Sequence, residues 1–296
     1  MQSQFKREPR KDMIIVELNG GLGNQLFQYA SAKSLALHGG ATLKLDTRYY
    51  TANNKSHDLH YFHIDDPVAC EDEIASLEKR NFVRKIADKL RPNHKRRIYR
   101  EKDYTYDENF FNASFPVHLK GLRQSEKYFL PFENEIRKLL VVKPQYIRPL
   151  EGIKNEIKLS NSVFIHIRRG DYLTPTALKV LGLQPIEYYE NAIRLIEERV
   201  PNPVFYIFSD DIDWAKENLR FHHPHHYASG ELSKNAIEDF YLMSQCRHGI
   251  LANSTFSWWA AWLNEYPEKI VIAPRKWFNQ AKFDTRDLIP PSWIRL

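Results

Sequence analysis

Residues 13–30 read Met13-Ile14-Ile15-Val16-Glu17-Leu18-Asn19-Gly20-Gly21-Leu22-Gly23-Asn24-Gln25-Leu26-Phe27-Gln28-Tyr29-Ala30. An apolar run, a glycine-rich turn and a mixed continuation predict a strand over 14–18, a tight turn over 19–24 and a helix over 25–38. A second apolar run over 42–46 completes a β-turn-α-β unit, the building block of a parallel sheet. Glycines at a strand-to-helix turn let backbone N–H groups approach an anion at the helix N-terminus. The spacing of Gly20, Gly21 and Gly23 is not G-x-G-x-x-G, and no Gly-Lys-Ser/Thr follows as in a Walker loop. Spacing alone therefore leaves a phosphate site and a structural turn equally open. Asn24 and Gln25, two side-chain amides just after the last glycine, favour the ligand site.

The same alternation returns from residue 162. Strands are expected over 163–167, 204–208, 249–252 and 269–273, and helices over 187–200, 212–219, 236–245 and 257–263. Between the two series, residues 50–150 are polar with few clean periods, and Lys143-Pro144 and Arg148-Pro149 read as a linker. The expectation is an α/β protein of two Rossmann-like domains, 1–150 and 151–296, facing a cleft with ligands at the strand carboxyl ends.

Composition narrows the class. Over 296 residues, 27% are charged and 43% apolar, which excludes wholesale disorder. No apolar run reaches the length of a transmembrane helix. The polar, basic start and the mere two cysteines, Cys70 and Cys246, predict a cytoplasmic enzyme without a disulfide framework. The net charge is +6, yet residues 79–102 alone carry +9, so the remainder is net negative. Within that segment Phe82, Val83, Ile86 and Leu90 fall at helical spacing before Pro92. A basic amphipathic helix is attracted to an anionic membrane surface, which makes peripheral contact at the inner face of the membrane one expected partner. The alternative is an ordinary solvated helix face. Nucleic acid is disfavoured by the lack of interleaved aromatic platforms and of zinc-finger or RNP patterns.

Three further stretches carry chemistry. His166-Ile167-Arg168-Arg169-Gly170-Asp171-Tyr172 follows a predicted strand, with His166 and Arg168 on one face and Arg169 on the other. A guanidinium there matches phosphate oxygens. Asn253-Ser254-Thr255-Phe256-Ser257-Trp258-Trp259 places hydroxyls where a strand enters a helix, which suits capping and phosphate binding alike, with the tryptophans as packing residues. In Ser209-Asp210-Asp211-Ile212-Asp213, Asp211 and Asp213 form a D-x-D pattern with a weak claim on a metal, and Asp213 also suits an N-cap. Asp210 or Asp211 is expected to hydrogen-bond a ligand or a loop. His222, His223, His225 and His226 read as loop residues rather than a zinc site, because Pro224 interrupts them and no cysteine is near.

The glycine turn through Ala30, the stretch 166–172 and Asn253-Ser254-Thr255-Phe256-Ser257-Trp258-Trp259-Ala260-Ala261 occur in this order and spacing. Together they resemble the α-1,2-fucosyltransferases of glycosyltransferase family 11 in their soluble bacterial form, over about residues 13–278. The resemblance implies a GT-B type fold and inverting transfer of L-fucose from GDP-β-L-fucose to the 2-hydroxyl of a terminal galactose, without a metal. It implies that Arg168 grips the donor diphosphate beside His166, that Ser254 and Thr255 with Asn253 form a phosphate-binding helix start, that Asp239 reads guanine, and that Asn24 reaches the diphosphate from the other domain. Asp210 joins the donor-side set. Asp171, beside Arg168, is the candidate base for the acceptor hydroxyl. One departure stands out. The family usually shows Gly-aromatic-aromatic-Gln in mid-chain, and here it is Gly121-Leu122-Arg123-Gln124. Gln124 is the acceptor-side candidate, and the acceptor is a galactose-terminated oligosaccharide or a lipid-linked glycan. The rival readings are a metal-dependent GT-A-like glycosyltransferase of other specificity and a non-catalytic glycan or nucleic-acid binder.

Overall fold

A computed structural model describes residues 12–78, 88 and 90–296. They form two compact units. One comprises the described residues up to His60, Ile64–Leu139 and Arg286–Leu288; the other comprises Tyr61–His63, Leu140–Thr285 and Ile289–Leu296.

The first unit is built on the opening motif. Strand β1 (Met13–Glu17) leads through Gly20 and Gly21 into helix α1 (Leu22–Gly39), then β2 (Thr42–Asp46). Helices α2 (Arg48–Ala52) and α3 (Glu71–Glu78) follow, then β3 (Ile98–Arg100), β4 (Val117–Lys120) and α4 (Glu133–Leu139). The four strands are parallel, in the order β2-β1-β4-β3. Residues Met13 to Val16 are all buried, as expected of a parallel strand covered on both faces. Met13 and Ile15 share one face and pack with Ala69, Ile74 and Leu77.

Two expectations change here. Helix α1 starts at Leu22 rather than at residue 25, because the extended Gly21 (φ −80°, ψ 176°) is its N-cap. Asn24 and Gln25 therefore lie in the first helical turn. The polar middle also supplies two of the sheet's strands, and segments of three and four residues are too short to display a period. The expected basic helix through Phe82, Val83 and Ile86 lies outside the described residues; Leu90 is exposed.

The second unit begins with α5 (Glu151–Leu159) and β5 (Asn161–Ile167), followed by α6 (Pro175–Val180), α7 (Ile186–Arg199), β6 (Pro203–Ser209), α8 (Ile212–Asn218) and β7 (His225–Tyr227). It continues with α9 (Ala236–Gln245), β8 (His248–Ile250), α10 (Thr255–Leu263), β9 (Val271–Ala273) and β10 (Ile294–Arg295). Its six strands are parallel, in the order β10-β9-β8-β5-β6-β7. From β5 the chain winds outward through β6 to β7; from β8 it winds the other way through β9 to β10. The loops leaving β5 and β8 therefore diverge, which creates the crevice where open α/β sheets bind ligands. The two strands approach closely, because a Cβ on Gly249 would lie 2.3 Å from the Phe164 ring. The core beneath includes Val163, Ile165, Ile193, Ile196, Phe205 and Ile250.

Candidate functional site

The loop leaving β5 places Arg168 at the crevice. Its Nη2 lies 2.7 Å from Asp171 Oδ1 and its Nη1 2.9 Å from Asp210 Oδ2. Arg169 serves a different purpose. Its Nε donates to Asp211 Oδ2 at 2.9 Å and its guanidinium sits 4.3 Å from the Trp214 ring centre, so it ties the loop to α8. Asp210 steadies the same loop by accepting from the Arg169 backbone N–H at 2.8 Å. Gly170 is needed beneath it, because a Cβ there would lie 2.6 Å from Asp210 Oδ2. His166 is 5% exposed and packs against Phe256. Burial, then the nearby Arg168 charge, push its pKa down to about 3, so it is a neutral imidazole at physiological pH.

The loop leaving β8 brings the hydroxyl cluster. Ser254 is the N-cap of α10, its Oγ accepting from Phe256 N, and Thr255 opens the helix. Trp258 and Trp259 are fully buried and act in packing. The two loops are tied across the crevice where Tyr172 Oη donates to the Asn253 carbonyl at 3.1 Å. Asn253 itself is buried, with its Nδ2 donating to the carbonyls of Leu181, Gly182 and Trp277, so that amide anchors neighbouring loops. A guanidinium, hydroxyls and the positive end of a nine-residue helix thus converge on one crevice, an arrangement suited to a phosphorylated ligand.

Asp239 lies in the first turn of α9. Its Oδ2 accepts from Ser229 Oγ at 2.8 Å and its Oδ1 from Ser233 Oγ. Burial raises its pKa, and the two hydroxyls oppose that rise. Each oxygen keeps a second lone pair with which to accept from a ligand.

In the first unit, the loops leaving β1 and β4 emerge side by side at the carboxyl edge. Gln124 Nε2 donates to Asn24 Oδ1 at 2.9 Å, so two candidates from distant parts of the chain meet. Gln25 does not face a ligand. It is fully buried, its Nε2 donating to Asp58 Oδ2 at 2.8 Å and to the Gly20 carbonyl, and its Oε1 accepting from Asp58 N. It is a strut that fixes the glycine turn.

The D-x-D pair is not built as a metal site. Asp211, rather than the expected Asp213, is the N-cap of α8, accepting from Trp214 N at 3.2 Å while pairing with Arg169. The histidine run also forms no ligand set among the described residues: His225 stacks on Phe221 and His226 on Tyr206. One grouping there, Asp46, Glu78 and His118, has metal-ligand character. However, Asp46 Oδ2 lies 2.7 Å from Arg48 and Glu78 Oε1 lies 2.7 Å from Lys120. The two His118 nitrogens also face different carboxylates, Nε2 toward Asp46 and Nδ1 toward Glu78. A metal takes one nitrogen of an imidazole, so this cluster is an ion-pair network joining α3 to the sheet.

Sequence reasoning missed Tyr172 as the tie between the crevice loops, and it missed the buried Arg123 and the grip of Glu101 on the backbone beside it. An arginine in place of an aromatic residue was a visible signal at position 123. For Tyr172 no signal beyond its place in the motif was available.

The chain matches the profile described as Glycosyl transferase family 11 over residues 2–296. It is 34% identical over 295 residues to an alpha-1,2-colitosyltransferase of Escherichia coli, covering 96% of this chain and 99% of that one. It is also 34% identical to the O-antigen biosynthesis glycosyltransferase WbnK of Escherichia coli, over 94% of this chain and 99% of that protein. Identity to the galactoside alpha-(1,2)-fucosyltransferase 2 of Oryctolagus cuniculus is 26%, over 86% of this chain and 68% of that one. Among solved structures, the NodZ alpha-1,6-fucosyltransferase soaked with GDP-fucose matches at a TM-score of 0.51 and 16% identity, covering 86% of this chain and 93% of that one, so the GT-B type α/β fold is shared. Fold, crevice and sequence agree: the chain is a glycosyltransferase of family 11.

Proposed function

We propose that the protein transfers L-fucose from GDP-β-L-fucose, with inversion, to the 2-hydroxyl of a terminal β-galactose on a glycan. The observation that carries this reading is the convergence of Arg168 and the Ser254-capped start of α10 on the crevice between β5 and β8. The second unit is the donor side. As the glycosidic bond breaks, GDP gains negative charge. The guanidinium of Arg168, the hydroxyls of Ser254 and Thr255 and the helix N-terminus meet that charge without a metal. His166 contributes as a neutral ring beside the diphosphate, and Asp239 accepts from the guanine N1–H and 2-amino group. Asp210 and Asp171 hold the guanidinium fork until the diphosphate takes it. That exchange frees the Asp171 carboxylate to accept the proton of the attacking hydroxyl. The first unit is the acceptor side, with Gln124 toward the sugar.

The 34% identity to a colitosyltransferase supports GDP-colitose, whose sugar is fucose without its 3-hydroxyl, as a competing donor. The similarity to WbnK supports an O-antigen repeat as the acceptor class. A lipid-carried glycan also fits the exposed cations of the described basic stretch, among them Arg91, Lys95, Arg97, Arg100 and Lys102, which suit an anionic bilayer. The test is acceptor-dependent GDP release, with a chelator present, from GDP-fucose and from GDP-colitose in parallel, using galactose-terminated oligosaccharides. An α-1,2-linked fucosyl product is the expected result. Turnover with GDP-colitose alone would move the donor assignment, and turnover abolished by the chelator would favour a metal-dependent mechanism.

A further inference from the structure

A full positive charge is buried beneath the acceptor-side loop. Arg123 is 0% exposed, yet its Nη1 and Nη2 have no hydrogen-bond partner, and its Nε donates to Ser31 Oγ of α1 at 2.9 Å. Its backbone lies in the left-handed region, at φ 49°. A non-glycine residue adopts that conformation only when its surroundings impose it. The imposing group is Glu101, one residue past β3, whose Oε2 accepts from Leu122 N at 2.6 Å and whose Oε1 accepts from Arg123 N at 2.7 Å. Gly121, at φ 120°, admits this carboxylate, since a Cβ there would lie 2.4 Å from Glu101 Cβ. The result is a sharp turn that drives the Arg123 side chain inward and leaves Gln124 against Asn24.

A buried guanidinium with unpartnered terminal nitrogens is a poor way to stabilise a fold, since apolar residues of equal volume do as well or better. What specifies the loop geometry is the grip of the Glu101 carboxylate on the Leu122 and Arg123 backbone together with the Arg123 Nε bond to Ser31. The same seam of α1 carries Gln28, whose Oε1 accepts from Asn19 N at the entrance to the glycine turn. Ser31, which receives Arg123, donates to the Gln28 carbonyl. The glycine turn and the loop 121–125 thus hang on one buried polar seam.

We infer that Arg123 and Glu101 are positioning residues that fix the Gln124–Asn24 pair for the acceptor sugar. The inference rests on the acceptor-side reading of the first unit. Two measurements test it together on the full chain. In hydrogen-exchange mass spectrometry, Arg123→Met is expected to speed exchange at least tenfold both in the loop peptide over 119–126 and in the turn peptide over 18–24, while exchange in β5 stays unchanged. In kinetics, Arg123→Met and Glu101→Gln are expected to raise the acceptor KM about tenfold or more, with any rise in the Kd for GDP at least threefold smaller. Glu101→Gln keeps the side chain's shape and serves if Arg123→Met does not fold. Unchanged exchange in the turn overturns the inference whatever the activity. So does an unaltered acceptor KM in a folded variant, or a parallel loss of GDP affinity, which would mark a merely structural role. A wild-type protein that transfers nothing from either GDP-sugar would instead refute the functional reading, and the exchange result would still decide the positioning claim.

Discussion

Replacing Arg168 separates catalysis from stability. Its two ion pairs join a guanidinium 34% exposed to carboxylates 66% and 23% exposed, so solvent screens both. Pairs of this kind contribute about 0–1 kcal/mol each, and Arg168→Ala is expected to lower stability by no more than about 1–2 kcal/mol. The catalytic loss should be larger. A preorganised donor aimed at developing charge is worth about 2.7–4 kcal/mol, or about 10²–10³ in rate. The variant also leaves Asp171 and Asp210 unneutralised where the proposed function places the diphosphate, so the Kd for GDP should rise with the fall in kcat/KM. Arg168→Lys should recover less than tenfold, because an ammonium cannot bridge two oxygens as a planar fork does. Arg168→Ala/Asp210→Asn should bind GDP better than Arg168→Ala alone, since one repelling carboxylate is gone. The assay is GDP release under saturating acceptor, with calorimetric GDP titration and thermal melts on the same preparations. A folded Arg168→Ala enzyme within threefold of wild-type kcat/KM would refute the reasoning, and so would a lysine variant equal to wild type.

Acid should destabilise the protein through His166. Its folded pKa, about 3, lies below the ordinary value of 6.5, so the unfolded chain binds more protons in that interval and stability falls as pH falls. From pH 6.5 to 5 the loss is about 1.6 kcal/mol, because the slope climbs from about half to nearly all of about 1.4 kcal/mol per pH unit, and His166→Asn should flatten that part of the stability-versus-pH curve; an unchanged slope would contradict the burial argument. His248, held at about 4 by burial and then by Arg247, should add a loss of the same sign that His166→Asn leaves in place. Asp211→Ala should cost about 1–2 kcal/mol through the lost cap and Arg169 pair while activity stays insensitive to chelator; wild-type stability with new metal dependence would revive the D-x-D reading. Charge reversal at Lys95, Arg97 and Arg100 should weaken co-sedimentation with vesicles containing anionic lipid, and equal sedimentation of both proteins would remove the membrane from the account.

What the sequence disclosed depended on whether a residue's neighbours in space were also neighbours in the chain. The β1-turn-α1-β2 unit was legible because Met13 to Val16, the glycines and the apolar periods of α1 act locally, and β2 falls on the residues expected, Thr42–Asp46. Arg168 and Ser254 stood out because strand-end charges and N-caps follow from local order. Strands β3 and β4 stayed hidden. Each is too short for a period, and β4 carries His118 and Lys120, whose counter-charges Asp46, Glu78 and Glu17 come from distant parts of the chain. Gln25 looked available to a ligand for the same reason. Its partner Asp58 is 33 residues away, and only the fold reveals that the amide is already engaged.

Arg123 carries this argument furthest. In a linear reading an arginine after Gly-Leu is a surface residue, and burying one is costly. The chain tolerates it because Glu101, 22 residues earlier, grips the backbone around it and leaves its side chain only the interior. Burial lowers the Arg123 pKa and raises that of Glu101, and in each case the partner charge opposes the shift. The attraction between the two charges offsets part of each burial cost. Local propensity therefore fails at this position for a physical reason: the left-handed backbone and the buried charge are both imposed by a partner, and both serve to aim the next residue, Gln124.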